Sequence, residues 1–122
     1  MSTGQRLAIL GVIIVLAVVG IVIASNGSSS DTPKTATVTI AVKNAKPVGG
    51  VKKIKLKQGG TLNLTVTSDT ADEIHVHATD QHKDVAKGGT IKMTIKPTGT
   101  GNSEIELENH KQQIAELTIE PS

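Results

Sequence analysis

An all-β sandwich of about seven short strands is the fold this sequence predicts, and three observations predict it. Apolar residues recur at every second position in seven segments between residues 36 and 120, the period of a strand with one buried face. The breaks between those segments are rich in Gly, Pro and Ser, the residues that turns need. The chain also lacks aromatic residues and cysteine. Its core must therefore be thin, built from Val, Ile, Leu, Ala and one interior Met.

Taken in order, the first element is not a strand. Leu7–Ala24 is an uncharged run of 18 residues, preceded by Arg6. As a helix it would extend about 27 Å, close to the thickness of a bilayer core. It is apolar all round, so a small β-domain cannot bury it. The run predicts a single-pass membrane anchor over residues 7–24, with residues 1–6 cytoplasmic, because Arg6 lies on the short side and the next basic residue is Lys34. The alternative is a signal peptide cleaved near Ala24, which would release the domain as a secreted protein. The run is longer than the usual apolar region of a signal peptide, which favours the anchor. Either way the remainder is extracytoplasmic. Residues 25–35 (SNGSSSDTPKT) read as a flexible polar linker.

The β-domain then occupies residues 36–122. Val38, Ile40 and Val42 alternate with polar or small residues, and Ile54 and Leu56 alternate with lysines. Leu62, Leu64 and Val66 follow, then Ile74, Val76 and Ala78, and Ile91, Met93 and Ile95. Ile105 and Leu107, then Leu117 and Ile119, complete the set. Breaks fall at Gly49-Gly50, Gly59-Gly60, residues 68–71, Gly88-Gly89 and residues 97–101. Residues 77–89 read as a connection with a short helical turn near Lys87. Seven one-faced strands in a chain of this size predict two packed antiparallel sheets, with Ile40, Leu64, Val76, Met93, Ile105 and Leu117 inside.

Charge and composition exclude several functions. The net charge is +2, and no ring is available for stacking bases, so a nucleic-acid groove is not expected. Residues 34–67 hold seven lysines and no acid, whereas residues 68–122 hold ten acids and five lysines. That asymmetry suits contact with a protein partner at the cell envelope. Without cysteine there is no disulfide, thiol nucleophile or iron–sulfur cluster. The Gly pairs match no nucleotide-binding motif, and no Ser or Thr stands in a recognisable triad. An enzyme is not expected.

The run ADEIHVHATD, followed by GGTIKMTIKPTGTGNSEIELENHKQQIAELTIEP near the end of the chain, resembles the exported cupredoxin-like domains. The resemblance covers about residues 36–121 and implies a Greek-key β-sandwich of the blue-copper type. It aligns His75 with the first histidine ligand of the copper-binding members and His110 with the second. The cysteine ligand falls at Leu107, and the axial methionine falls near residues 113–115, where none is present. A blue-copper centre needs the thiolate, so the resemblance implies the fold without that electron-transfer site.

The remaining chemistry lies in four histidines, His75, His77, His82 and His110. His75 and His77 share one face of a predicted strand, with Ile74 and Val76 on the other. With His110 they form the candidate metal set, and Glu73, Asp80 and His82 are auxiliary candidates. Imidazoles with a carboxylate suit copper(II) or zinc. Glu104, Glu106 and Glu108 line one face of a later strand and would join such a site if that strand neighbours His75. The plainer reading is a solvated polar face with no cofactor, since polar residues belong on the outer side of a half-buried strand. The sequence reading is therefore a membrane-tethered binding or interaction module. Its alternatives are a domain that binds Cu2+ or Zn2+ in envelope metal handling, and a structural surface domain.

Overall fold

Alternation becomes strand pairing in the computed structural model, which describes residues 21–23 and 32–122. Strands β2 (Thr35–Lys43), β3 (Lys46–Pro47), β5 (Thr61–Ser68) and β8 (Gly89–Ile95) form one sheet, joined by β1 (Ile21–Ile23). The second sheet has the order β4 (Lys52–Lys57), β10 (Gln112–Glu120), β9 (Gly101–Leu107), β6 (Asp72–Val76) and β7 (Gln81–Val85). Nine strands between residues 35 and 120 thus make an all-β sandwich.

The sheets are mixed, not purely antiparallel as the alternation suggested. β2 runs parallel to β5, and β4 runs parallel to β10. The cause is connectivity: the chain passes from β3 to β4, from β4 to β5 and from β5 to β6 by changing sheets. β5 comes back beside β2, and β10 beside β4, only after the chain has crossed to the other sheet and returned, and each arrives in the direction of its earlier neighbour. Alternation specifies which face is buried but is blind to strand direction.

The apolar faces meet between the sheets. Ile40, Leu64, Val76, Met93, Ile105 and Leu117 are all buried, as predicted, together with Leu56, Leu62, Ile95 and Ile114. Ala78 and Ile91 are only half-buried against this core. Leu107, at the position the resemblance gives to a cysteine ligand, is fully buried among these side chains. Residues 113–115 hold a β-bulge opposite Glu106 and Ile105, so Ile114 and Ala115 both face inward. Such bulges re-aim neighbouring side chains.

Two segments differ from expectation. Residues 81–85 form a strand where a connection with a helical turn was predicted near Lys87. Only Val85 of its five residues is buried, because β7 is an edge strand and lacks the apolar alternation of a central one. In the stretch predicted as the linker, Pro33 and Lys34 are joined to the sandwich: their carbonyls accept the N–H groups of Lys57 and Thr61. Gly60 is required there, since a Cβ would lie 2.2 Å from the Lys34 carbonyl oxygen.

Most of the predicted anchor lies outside the described residues. Of that segment, Ile21–Ile23 pairs antiparallel with residues 36–38 of β2 instead of being helical, as β-branched residues beside an open sheet edge can do. Among the described residues no helix is long and apolar enough to cross a membrane.

Candidate metal centre

The site is built on the outer face of β6, where alternation turns Ile74 and Val76 into the core and His75 outward. The strand ends at Val76, and residues 77–80 make a tight turn into β7. Asp80 closes this turn at φ 52°, a conformation that Asp tolerates better than most side chains. The turn sets the register in which His75 lies directly across from His82. On the other side β6 pairs with β9, which places Glu106 opposite His75. The condition for the glutamate comb to reach the histidines is therefore met.

Three imidazoles stack as a result. The His75 ring lies 4.1 Å from that of His77 at an interplanar angle of 25°. It lies 3.9 Å from that of His82 at 17°. Acids surround the stack. His75 Nδ1 is 2.7 Å from Glu108 Oε1, and its Nε2 is 3.1 Å from Asp80 Oδ1. The same Asp80 oxygen is 3.2 Å from His82 Nε2. His77 Nε2 lies 3.4 Å from Glu106 Oε2, and His82 Nδ1 lies 3.5 Å from Glu73 Oε1.

These contacts set the protonation of the central ring. Burial disfavours the charged form of His75, but the hydrogen bonds to Glu108 and Asp80 outweigh it and raise its pKa above the ordinary value. Both ring nitrogens then donate, and the imidazolium satisfies two carboxylates at once. In return, the hydrogen bond from His75, followed by that from His82, lowers Asp80. The bond from His75 likewise lowers Glu108, against a smaller opposing effect of burial.

Two clusters have the donors and spacing to hold a cation: His75, Asp80 and His82, and His75, His77 and Glu106. In each, the ligand atoms lie within 4.8 Å of one another. Zinc– or copper–nitrogen bonds of about 2.0 Å put neighbouring ligand atoms about 3.3 Å apart; Asp80 Oδ1 already lies 3.1 Å from His75 Nε2 and 3.2 Å from His82 Nε2, and His77 Nε2 lies 3.4 Å from Glu106 Oε2. The donors are borderline nitrogen and hard oxygen, which suit Cu2+ or Zn2+. No cysteine thiolate exists to make a blue-copper centre.

His110 belongs to neither cluster. It lies in the turn between β9 and β10, and its Nδ1 is 2.5 Å from Asp72 Oδ2. Asp72 itself is buried at the start of β6. Its other oxygen accepts the N–H groups of Glu73, at 2.7 Å, and Asn109, at 2.8 Å. Burial would raise its pKa, but the bonds from His110, Glu73 and Asn109 prevail and lower it. His110 and Asp72 thus organise the turn. Glu73 also lies outside both clusters, in contact with His82.

Sequence reasoning singled out His75, His77, His82 and Asp80, and made Glu106 conditional on strand order. It missed Asp72 as a buried anchor, although an acid in the inward register with Ile74 and Val76 was visible as a break in the apolar face. It also missed β7. The signal was short: a Thr-Asp pair closing a four-residue turn between two histidine-bearing segments.

The sequence matches no family model and no curated protein. Solved structures do match. One is the metal-binding domain of the Streptococcus pneumoniae D39 Cu(I)-exporting P-type ATPase CopA, solved with Cu(I). The TM-score is 0.58 at 15% identity, over 74% of this chain and 90% of that one. A chain of a heme-copper terminal oxidase dimer matches with TM-score 0.57 at 19% identity, over 98% of both chains. A multi-copper oxidase from Pediococcus acidilactici matches with TM-score 0.55 at 15% identity, over 76% of this chain and 27% of that one. At these identities the likeness is one of fold, and the fold is a cupredoxin-like sandwich without the blue-copper cysteine.

Proposed function

We propose that this chain is a non-enzymatic, extracytoplasmic cupredoxin-like domain that binds a divalent cation, Cu2+ or Zn2+, through the histidine face of β6 and β7. The observation that carries the reading is the convergence of three histidines, from β6, β7 and the turn between them, with acids from β9 and the same turn. A merely solvated face has no need to bury His75 to 15% exposure between two carboxylates. Copper-binding proteins on the same sandwich, one of them solved with Cu(I), support copper as the element, and the imidazole and carboxylate donors favour a divalent ion. Because the ring nitrogens must shed protons to ligate, uptake of the ion should release protons.

Calorimetric titration of the full chain in detergent tests this reading. Cu2+ or Zn2+ should bind more tightly than about 100 µM, equivalent to about −5.5 kcal/mol. The His75→Ala variant should bind much more weakly, and the complex should show no intense blue thiolate band. Absence of uptake by the native chain would reject a metal site. It would leave a second reading, an interaction module that carries no metal, which the likeness over 98% of both chains to part of a terminal oxidase dimer supports.

The domain belongs at the membrane by this proposal, held there through the part of the uncharged 7–24 run that precedes β1, with its N-terminus cytoplasmic, while Ile21–Ile23 stays with the sandwich. The uncharged run behind Arg6 supports this. Protease added to intact cells should digest the domain while a tag placed before Arg6 survives. A mature chain beginning at Ser25 would replace the anchor with a cleaved signal.

A further inference from the structure

We propose that the two clusters are alternative seats for a single cation, joined by His75, and that the ion arrives through the outer one. This rests on the metal-binding reading and adds how the ion is held. His75 is the one residue common to both clusters. His77 and His82 stack on it at 4.1 and 3.9 Å, so they must occupy opposite faces of its ring. One face therefore offers His77 with Glu106, and the other offers His82 with Asp80.

The seats exclude each other for a geometric reason. Glu108 holds Nδ1, so Nε2 is the one nitrogen that His75 offers, and its lone pair ligates one ion. The His75 ring has to turn toward whichever ion it ligates, and in doing so it leaves the other pair. Glu108, bonded to Nδ1, restrains the ring as an outer hydrogen-bond partner does in metal sites. Each seat supplies two imidazoles and one carboxylate and leaves a fourth position for water, as suits Cu2+ or Zn2+.

Exposure orders the seats. Asp80 is 83% exposed on the turn and His82 is 42% exposed on an edge strand. His77 of the inner seat is nearly as exposed as His82, at 41%, so the carboxylates make the difference: Glu106, on the interior strand β9, is only 17% exposed. An arriving cation meets the Asp80 carboxylate first, and the inner seat, better shielded from water, holds it after His75 turns.

The test uses the full chain in detergent with Cu2+ as the probe. Native mass spectrometry gives stoichiometry, electron paramagnetic resonance reports ligand sets, and rapid mixing follows uptake. Far-UV circular dichroism confirms that each variant keeps its fold. The paired variant Asp80→Asn/His82→Ala removes the outer seat, and His77→Ala/Glu106→Gln removes the inner one. The native chain should bind one Cu2+, with an equilibrium spectrum dominated by that of the Asp80→Asn/His82→Ala variant, which keeps the inner seat, and an early spectrum after mixing that resembles the His77→Ala/Glu106→Gln variant. Each paired variant should still bind one ion, with affinity within about tenfold of native, whereas His75→Ala should lose about 100-fold. Loss of the outer seat should also slow uptake.

Two ions per chain would overturn the proposal, because the seats would then fill together. So would a paired variant that loses as much affinity as His75→Ala, which would mean a single seat. Native affinity in His75→Ala would overturn it while leaving metal binding intact. No Cu2+ uptake by the native chain would remove the metal reading and this inference with it.

Discussion

His75 carries two opposed roles, and pH separates them. In the ion-free protein its imidazolium is bonded to Glu108 and Asp80, which raises its pKa despite partial burial. A raised folded-state pKa contributes stability that is complete below the ordinary value of about 6.5 and is lost as pH rises through the folded value. Metal binding has the opposite sign, since the ring must be deprotonated to ligate. The difference in urea midpoint between the native chain and His75→Gln should therefore shrink between about pH 6 and pH 9. Cu2+ affinity of the native chain should rise over the same interval. A midpoint difference that grows with pH would contradict the ion-pair account of His75.

The β6–β7 hairpin and the turn between β9 and β10 show how an element can be held from its end. Asp72 sits in the inward register of β6, beside the core, and yet it is charged. It is tolerated because Glu73, Asn109 and His110 direct hydrogens at its two oxygens. Asp72→Asn keeps the volume but puts an amide NH2 where Oδ2 accepted from His110, so the charge-assisted bond to that half-exposed ring is lost or the turn shifts. Urea unfolding at neutral pH should show a loss of about 1–3 kcal/mol. The cost should diminish in acid. Because the carboxyl pKa is lowered on folding, its contribution is present above the ordinary carboxylate value and is lost as pH falls through the folded one. An unchanged cost at low pH would mean that the charge of Asp72 is irrelevant to the turn.

For the whole molecule, the absence of rings makes packing unforgiving. The core consists of aliphatic side chains with one Met, each contributing a modest buried area. Leu64 lies at 1% exposure on β5, between β2 and β8. Leu64→Ala should destabilise the domain by about 2–5 kcal/mol, read by far-UV circular dichroism because there is no tryptophan to follow by fluorescence. A loss below about 1 kcal/mol would show that neighbouring side chains close the cavity.

The sequence by itself determined the burial pattern. Period-two alternation puts Ile74 and Val76 on one face and His75 on the other whatever the strand pairs with, because the pleat alone dictates it. The missing cysteine ruled out a thiolate centre before any coordinates, because no other side chain present supplies that bond. Strand order, strand direction and the cation clusters were decided only by tertiary structure. Glu106 and Glu108 meet the histidines because β9 is the neighbour of β6, and His82 meets His75 because a four-residue turn sets the hairpin register. His110 and His75 looked equivalent as isolated histidines, yet the fold gives His110 to Asp72 and surrounds His75 with two rings and two acids. Pairing between distant segments depends on the free energy of the assembled sheets, and a local pattern of apolar and polar residues does not encode which strands lie side by side.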